Sequence, residues 1–476
     1  MGVYEVKGRR ISAEADNFQE VLAAVYNLED RPLCLCVAGG VPMYVAKYGE
    51  YVLKRMPDTG PSHHPACDSF EPEPGVSGRA ELGAAIEVKE NQPVEIRLGF
   101  ALSRFAGRPG PNPGEASERP PGEVDSKTPR CSLRALLHYL WEEAGLNRWY
   151  PRMKGKRGQW TLHKYLMQEA QRVRTKGVSL AERLYVPEVF RVEEKEAIAE
   201  RRRQHLSFLH SPEDNVVFKM GLVIGEFNGV EPAAVGMRVF VKHAPDAPLH
   251  IDNRSWDRVR RGYGEVMKAL DADVAHKPHV VMAAVIYGAQ EGLYQIEAMS
   301  MMLVSEQWIP IDGVYEIPLI EQLIEEDRVF IKPLRYDAKS AAKFPNVLLL
   351  DAGDQPVHMH VISPMADEKA RRAKEHQVQQ RGELAWEWDR SKGMPAVPMK
   401  AQGERRGQWR GTAAERHVVP DAQPVKPSAG AARKRGQGDA TAAAPATGPL
   451  EAVAEENGVI LAAKGSGEGE HFAGQA

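Results

Sequence analysis

The sequence predicts an α+β protein of several domains: a small β module, a helical connector, an α/β core and a disordered C-terminal tail. The chain has 476 residues, which exceeds the roughly 100 to 200 residues of a usual domain. Strand-like runs, spans of helical periodicity and a mixed segment follow one another along it. Two stretches rich in proline, glycine or alanine interrupt this order and indicate a linker and a tail.

The composition narrows the class of protein. Hydrophobic residues make up 43% of the chain and charged residues 27%, as in soluble globular proteins. The 62 basic and 65 acidic residues exclude a uniformly basic nucleic-acid coat but allow local patches. The longest apolar run, residues 279–289, is shorter than the roughly 20 residues of a membrane span, and the polar N-terminus lacks a secretory apolar segment. We therefore expect a cytoplasmic protein without membrane association.

The domain boundaries are predicted from these changes in composition. The expected parts are an N-terminal β-rich module (1–106), a proline- and glycine-rich linker (107–130), a basic helical region (131–212), a mixed α/β core (213–389) and a disordered tail (390–476).

Two secondary-structure patterns describe the first 212 residues. Strand-like runs at 33–37, 42–47, 51–55, 84–88 and 94–98 predict a small sheet. Apolar residues at helical spacing predict two amphipathic helices joined by a basic turn, the first with Leu133, Leu136, Leu137, Leu140 and Trp141, the second with Leu162, Tyr165, Leu166 and Ala170.

Three of the four cysteines lie within 34 residues and indicate a metal site. Cys34 and Cys36 flank one residue, so a strand would present both sulfurs on one face, and a turn-rich stretch leads to a second pair, His64 and Cys67. Two such half-sites are typical of a structural zinc ion, and we predict Cys34, Cys36, His64 and Cys67 as its ligands. His63 is an alternative to His64. The competing interpretation is a pair of buried cysteines beside a surface histidine, and Cys131 is expected to be a buried, inert thiol.

A basic, aromatic-laced segment spans residues 148–176. The segment contains nine basic residues and a single acidic one, Glu169. Four aromatic residues (Trp149, Tyr150, Trp160 and Tyr165) are interleaved with the basic ones. Clustered cations attract phosphates and aromatic faces stack on unpaired bases, so the segment predicts nucleic-acid binding. The predicted binding residues are Arg148, Arg152, Lys154, Lys156, Arg157, Trp160, Lys164, Arg172, Arg174 and Lys176. The alternative is a solvated helix face with core aromatics.

The last part of the core has an order of elements known from nucleases. We predict a helix at 315–326, strands at 329–334, 347–350 and 357–362, a charged helix at 366–380 and a strand at 383–388. Helix, three strands, helix and strand is the skeleton of restriction-endonuclease-like enzymes. Their PD-(D/E)xK pattern supplies carboxylates that hold Mg²⁺, which polarises the phosphodiester and activates a water.

Three segments resemble a known family. They are PLCLCVAGGVPMYVAKYGEYVLKRMPDTGPSHHPAC, LLHYLWEEAGLNRWYPRMKGKRGQW, and MMLVSEQWIPID with FIKPLRYDAKSAAKFPNVLLLD. They look like the bacterial domain-of-unknown-function family numbered eleven seventy-three, over residues 27–389. The resemblance implies that mobile elements carry the gene. It also implies a cysteine and histidine pattern on Cys34, Cys36, His64 and Cys67. A third implication is a nuclease-like motif with one acid after a proline and another on the next strand. This chain has Asn346 and His360 there.

These two departures decide the predicted function. An amide and an imidazole are weak ligands for a hard cation, so we expect a non-catalytic, nucleic-acid-associated accessory protein of a mobile element with a degenerate nuclease-like core. One alternative is an active metal-dependent nuclease in which His360 and Asp351 replace the usual acids. Another is a protein-interaction scaffold that binds partners through its tail and zinc module.

Weaker metal candidates remain. His358 and His360 share a strand face and would need a third ligand. Asp351 and Asp354 lie in an expected solvated turn. Asp271, Asp273, His276 and His279 are expected to form a polar loop.

Overall fold

The computed structural model describes residues 2–48, 50–89, 92–105, 129–210, 217–272, 274–290 and 292–401. These residues belong to one compact unit. Nearly all of the predicted linker, and the predicted tail from residue 402 onward, lie outside the described residues.

The helices of the described part are short to medium in length. They are α1 (Phe18–Ala23), α2 (Arg79–Leu82), α3 (Leu133–Glu143), α4 (Gln159–Arg172), α5 (Lys195–Leu206), α6 (Asn253–Gly262), α7 (Gly264–Leu270), α8 (Ile317–Glu325) and α9 (Glu368–Arg381). None of these helices is long and apolar enough to cross a membrane.

The strands of the described part form several sheets. In chain order they are β1 (Val3–Val6), β2 (Arg9–Ser12), β3 (Leu33–Cys34), β4 (Val41–Tyr48), β5 (Glu50–Arg55), β6 (Ile86–Glu87), β7 (Val94–Ile96), β8 (Ser103–Phe105), β9 (Arg148–Trp149), β10 (Val173–Thr175), β11 (Val178–Ser179), β12 (Leu184–Tyr185), β13 (Val217–Lys219), β14 (Gly221–Pro232), β15 (Met237–Val241), β16 (Leu249–Ile251), β17 (His279–Gln290), β18 (Leu293–Val304), β19 (Phe330–Ile331), β20 (Val347–Leu349), β21 (Val357–Ile362) and β22 (Ala385–Asp389).

The N-terminal sheet has the order β2-β1-β3-β4-β5, and its neighbouring strands are antiparallel. The predicted strands at 33–37, 42–47 and 51–55 are present in this sheet, the first one shortened to Leu33–Cys34. The runs at 84–88 and 94–98 form the short strands β6 and β7 of a separate sheet with the order β11-β10-β7-β6, so the prediction of one sheet for all five runs was wrong. Because β3 lies between β1 and β4, Cys34 is held opposite Tyr4 and Val41 in the middle of the sheet.

The two predicted helices of the next region are α3 and α4. Ser132 caps α3, since its hydroxyl accepts a hydrogen bond from the amide of Ala135 at 3.1 Å. The segment between the helices is more than a basic turn, because it also contains β9, which joins the C-terminal sheet.

Five strands of the middle region form a closed sheet. β14 pairs with β15, β15 with β16, β16 with β18, β18 with β17, and β17 with β14 again. β16 and β18 are parallel, whereas the other neighbours are antiparallel. The helices α6 and α7 connect β16 to β17. Alternate residues of β14 and β17 enter two different cores, since Val223 and Met282 face one and Ile224 and Val281 the other.

The C-terminal sheet has the order β22-β21-β20-β19-β9. β20 is antiparallel to both of its neighbours, β19 and β21. The chain then continues through α9 to β22, which is parallel to β21. All six predicted elements of this region are present, with ends that differ by a few residues.

The predicted segments share their cores rather than forming separate ones. Ile96 of the N-terminal region, Leu136 of α3 and Val281 of β17 belong to one apolar cluster. The start of the predicted tail is also packed, because the indole N–H of Trp386 donates to the carbonyl of Ala396 and Arg328 donates to that of Pro398. Residues 390–401 therefore follow the C-terminal sheet, which corrects the start of the predicted disordered tail.

Candidate functional site

Four side chains of the N-terminal region converge in a group that can hold a metal ion. The ligand atoms of Cys34, Cys36, His63 and Cys67 all lie within 4.8 Å of one another. The Cys34 and Cys67 sulfurs are 3.7 Å apart, and Nδ1 of His63 is 3.3 Å from the Cys36 sulfur and 3.8 Å from the Cys67 sulfur. Among the described residues, no other group of three or more His, Cys, Asp and Glu side chains brings its ligand atoms together in this way.

The histidine of this group is His63, the alternative ligand, rather than His64. His63 is 2% exposed, and it ends a short 3-10 turn over Gly60–Ser62. The ring of His64 turns to the backbone instead, where its Nδ1 accepts the amide of Ala66 at 3.1 Å. Adjacent residues of a turn point in different directions, so the spacing along the sequence could not show which of the two histidines faces the cysteines.

Close packing fixes the loop that carries the second half-site. A Cβ added to Gly60 would lie 2.4 Å from the Cβ of Glu71, closer than real contacts permit. Any other residue at position 60 would therefore shift the turn that places His63.

The thiols of the group share their protons. Hydrogen bonds from Cys34 and then Cys67 lower the pKa of Cys36 to about 3, while contacts with Cys36 and Cys67 raise the pKa of Cys34. Sulfurs crowded in this way favour a bound cation, because metal binding replaces their shared protons.

The metal group lies against the C-terminal sheet. Phe70 packs in one cluster with Tyr150 and Leu348, and Cys67 borders that cluster. Arg148 of β9 donates to the carbonyl of Phe70 at 2.5 Å. The loop that carries Cys67 is thus attached both to its own sheet and to the edge of another.

Four of the ten predicted nucleic-acid-binding residues are bound to other groups of the chain. Arg148 is bound to the Phe70 carbonyl, and Arg152 forms an ion pair with Asp68 at 2.9 Å. Arg157 donates to the carbonyls of Leu146 and Arg148, and burial lowers its pKa to about 9. Arg172 forms an ion pair with Glu169 at 2.5 Å. The aromatic residues Trp149 and Tyr150 are buried as well.

The other six predicted residues are exposed. Lys154, Lys156, Lys164, Arg174 and Lys176 are exposed, as are Trp160 at 60% and Tyr165 at 40%. The ammonium of Lys164 lies 5.0 Å from the ring centre of Trp160 and 5.5 Å from that of Tyr165. We call Lys154, Lys156, Trp160, Lys164 and Tyr165 the α4 surface. Its three lysines form no ion pair with any of the described residues, so their charges are available to a ligand.

A buried network that the sequence did not predict lies beside the C-terminal sheet. Lys332 is 1% exposed, and its ammonium lies 2.9 Å from a carboxylate oxygen of Asp312 and 2.9 Å from one of Glu316. Arg335 binds Asp312 at 2.7 Å. Burial alone would raise the pKa of Asp312, but Arg335 and Lys332 hold it well below its usual value. Burial raises the pKa of Glu316.

Asn346 extends this network to helix α9. Its amide nitrogen donates to Glu316, and its oxygen accepts from the amide of Val361 at 2.8 Å and from the ammonium of Lys374 at 2.5 Å. Burial lowers the pKa of Lys374 to about 7. The asparagine that stands after Pro345 is therefore a structural link between two strands and a helix.

Comparison with known proteins identifies the family. Residues 4–391 match the model of the family described as "Protein of unknown function (DUF1173)". The chain belongs to this family. No curated protein and no solved structure matches it significantly.

The remaining histidine and carboxylate candidates have structural surroundings. His360 is fully buried, with no hydrogen-bond partner for either ring nitrogen, and no third ligand joins it and His358 in a metal group of the described residues. Asp351 is bound by Arg328 at 2.9 Å, in contrast to the expected solvated turn, whereas Asp354 is exposed. Burial raises the pKa of the Cys131 thiol to about 12.

The predicted polar loop before β17 is only partly described, since Asp273 lies outside the described residues. His276 binds Glu306 at 2.9 Å. His279 binds Glu226 at 2.8 Å and stacks on Trp308 with ring centres 4.4 Å apart. Each histidine thus has a carboxylate partner.

Proposed function

We propose that this protein binds nucleic acid without cleaving it, as an accessory protein of a mobile element, and that zinc occupies its cysteine and histidine group. The C-terminal region would then be a restriction-endonuclease-like core that has lost its metal site. The buried ammonium of Lys332 is the observation on which the non-catalytic part depends.

The α4 surface supports the binding function. It has three exposed lysines that form no ion pair among the described residues, and one of them, Lys164, lies beside two exposed aromatic rings. Phosphate groups gain affinity from such fixed cations, because binding releases condensed counterions. Exposed indole and phenol rings supply faces on which bases stack. A solvated helix face, the competing interpretation, does not account for a tryptophan that is 60% exposed.

The geometry of the metal group supports zinc. Bonds of about 2.3 Å to sulfur in a tetrahedral site place two sulfurs about 3.8 Å apart, and a sulfur and a nitrogen about 3.5 Å apart. The separation of the Cys34 and Cys67 sulfurs is 3.7 Å, and the sulfur–nitrogen distances from His63 are 3.3 and 3.8 Å. Three thiolates and one imidazole form a closed set with no position for a substrate, so the site would be structural.

The order and direction of the C-terminal strands support the nuclease-like assignment. α8 precedes the antiparallel strands β19, β20 and β21, and α9 then leads to the parallel β22. Asn346 stands one residue before β20 and His360 lies within β21, where the nuclease pattern has acids.

The charge of the buried network opposes catalysis by a divalent cation. Asp312 and Glu316 supply carboxylate oxygens, but the ammonium of Lys332 already lies between them. Arg335 adds positive charge at Asp312, so a divalent cation would enter a site whose carboxylates are already neutralised. Asp351, a ligand in the rival nuclease hypothesis, is bound by Arg328.

Binding and cleavage are separated by one set of experiments. Purified protein is incubated with supercoiled plasmid and Mg²⁺ or Mn²⁺, and we expect retention of the plasmid without nicking. Metal-dependent nicking that Asp351→Ala abolishes would establish the rival nuclease instead.

A salt titration tests the α4 surface. Charge reversal of Lys154, Lys156 and Lys164 removes three phosphate contacts, so the slope of log affinity against log salt should become shallower by about 2 to 3. The matched control reverses Lys277, Lys369 and Lys400, three lysines that are also exposed, and should bind as the wild type does. Failure of the wild type to retain nucleic acid at low salt would favour the scaffold hypothesis.

A further inference from the structure

The closed sheet of the middle region has a known strand order. If β14, β15, β16, β17 and β18 are counted as strands one to five, the order around the sheet is 1-2-3-5-4, and strand four pairs with strand one again. The third and fifth strands are parallel, and helices connect the third to the fourth. This is the topology of the OB-fold, whose second and third strands and adjoining loops carry the ligands of its members.

From this topology and the side chains of β15 and β16, we propose that the outer face of these two strands binds single-stranded nucleic acid. The inference rests on the proposed function and names its ligand class and a second site. Because a fold alone does not establish a function, the chemistry of the face carries the proposal.

The outer surface of the closed sheet is exposed at β15 and β16. Outward residues of β14, β17 and β18 such as Ile224, Val281 and Met302 pack in the same cluster as Leu137 of α3. Among the described elements, β15 and β16 make their main contacts with neighbouring strands of the sheet. Val239 and Val241 point inward, so Arg238 and Phe240 point to the open side.

The open face combines a cation, aromatic rings and a polar row. Arg238 is directly opposite His250, and His250 is opposite Gln295 of β18, so three half-exposed polar side chains cross the sheet in register. Phe240 is half-exposed on the same face, and the guanidinium of Arg238 lies 5.9 Å from its ring centre. Neighbouring strands are about 4.8 Å apart, so the row is about 10 Å wide.

These groups fit a nucleic-acid strand better than a neutral ligand or an anion without aromatic rings. The phenyl and imidazole rings supply stacking faces, and the guanidinium supplies a phosphate contact. Glu231 binds Arg238 at 3.1 Å, but the two side chains are 59% and 42% exposed, so the pair is weak and a phosphate can replace it. A neutral oligosaccharide would leave the charge of Arg238 unused.

The loop that enters β15 adds an apolar contact. Val235 at its tip is 86% exposed. Gly236 brings the loop against the sheet, since an added Cβ would lie 2.2 Å from the carbonyl oxygen of Ile251, and its φ is +74°. The loop between the first and second strands therefore lies beside the proposed face, as in other proteins of this topology.

Fluorescence anisotropy with a labelled oligothymidine and a duplex of equal length tests the proposal. Phe240→Ala with His250→Ala should weaken oligothymidine binding by about 10-fold or more, because each stacked base contributes about 1–3 kcal/mol, and should leave duplex binding unchanged. Arg238→Ala should in addition make the salt slope for the single strand shallower by about 0.7. The control Arg254→Ala with Arg258→Ala, two exposed arginines of α6 in the same sheet-and-helix unit, should bind as the wild type does.

The outcomes separate the two proposals. Unchanged oligothymidine binding by the Phe240→Ala, His250→Ala variant, with loss of binding in the α4-surface variant, would overturn this inference and leave the proposed function intact. Retention of neither probe by the wild type would overturn both. Equal unfolding midpoints for the variant and the wild type exclude misfolding as the cause of a loss.

Discussion

The ammonium of Lys332 lies 2.9 Å from a carboxylate oxygen of Glu316, and neither side chain is more than 2% exposed. Both charges are withdrawn from water, so each depends on the other and on Asp312 for compensation. In the nuclease-like core proposed above, this ammonium would lie between the two carboxylates that a divalent cation needs. The pair therefore links the stability of the C-terminal sheet to its proposed loss of catalysis.

Removing the ammonium should destabilise the protein strongly. Lys332→Met keeps the length of the side chain but leaves buried Glu316 without its cation and Asp312 with Arg335 alone, and we expect a loss of about 3–5 kcal/mol in the free energy of unfolding. Denaturant unfolding measures it. The exposed Lys369→Met should change the free energy of unfolding by less than about 0.5 kcal/mol. A double variant with Glu316→Gln should lose less than the sum of the single losses, and simple additivity would argue against the pairing.

Metal content should depend on His63 and not on His64. Cys67→Ser and His63→Ala each remove a ligand atom of the group, so elemental analysis should find the metal lost or strongly reduced. His64→Ala is the matched control and should retain about one equivalent, because its ring faces the amide of Ala66. Equal loss in both histidine variants would contradict the assignment.

The basic segment should divide into structural and surface residues. Arg157→Ala removes hydrogen bonds to the carbonyls of Leu146 and Arg148 and leaves them buried, so we expect a loss of about 2–3 kcal/mol of stability. Lys156→Ala should leave the unfolding midpoint unchanged and weaken nucleic-acid binding. Thermal unfolding followed by a binding titration distinguishes the two, and similar stability of both variants would contradict the division.

Local patterns predict the elements of this protein better than its sites. The strand at 357–362 is confirmed at both ends, because alternation and helical spacing are properties of neighbouring residues. The pairing of β14 with both β15 and β17 has no such signal, since it joins residues far apart in the chain. Lys332 similarly binds residues 16 and 20 positions away. Counting charges also cannot distinguish Arg157, which binds carbonyls inside the fold, from Lys156 at the surface.

Acid should destabilise the protein through His360. Burial lowers the pKa of this imidazole to about 3. The nearby charges of Lys374 on α9, His358 on the same strand and Arg381 at the end of α9 lower it as well, to a lesser extent. The unfolded chain, with a pKa near the ordinary value of about 6.5, then binds more protons than the folded one between about pH 3 and 6.5. The free energy of unfolding must therefore fall as the pH decreases through this window, by about 3 kcal/mol at pH 4 from this group alone.

Replacing His360 isolates that contribution. His360→Leu introduces a side chain of similar size, and within the described part of the chain neither ring nitrogen of the histidine has a hydrogen-bond partner, so we expect no loss of stability at pH 7. Denaturant unfolding at pH 7 and pH 4 should show a smaller acid loss in the variant than in the wild type. His358 has a pKa lowered to about 4 and is present in both proteins, so its effect cancels in the comparison. The same acid loss in the two proteins would mean that His360 is solvated or protonated in the folded state.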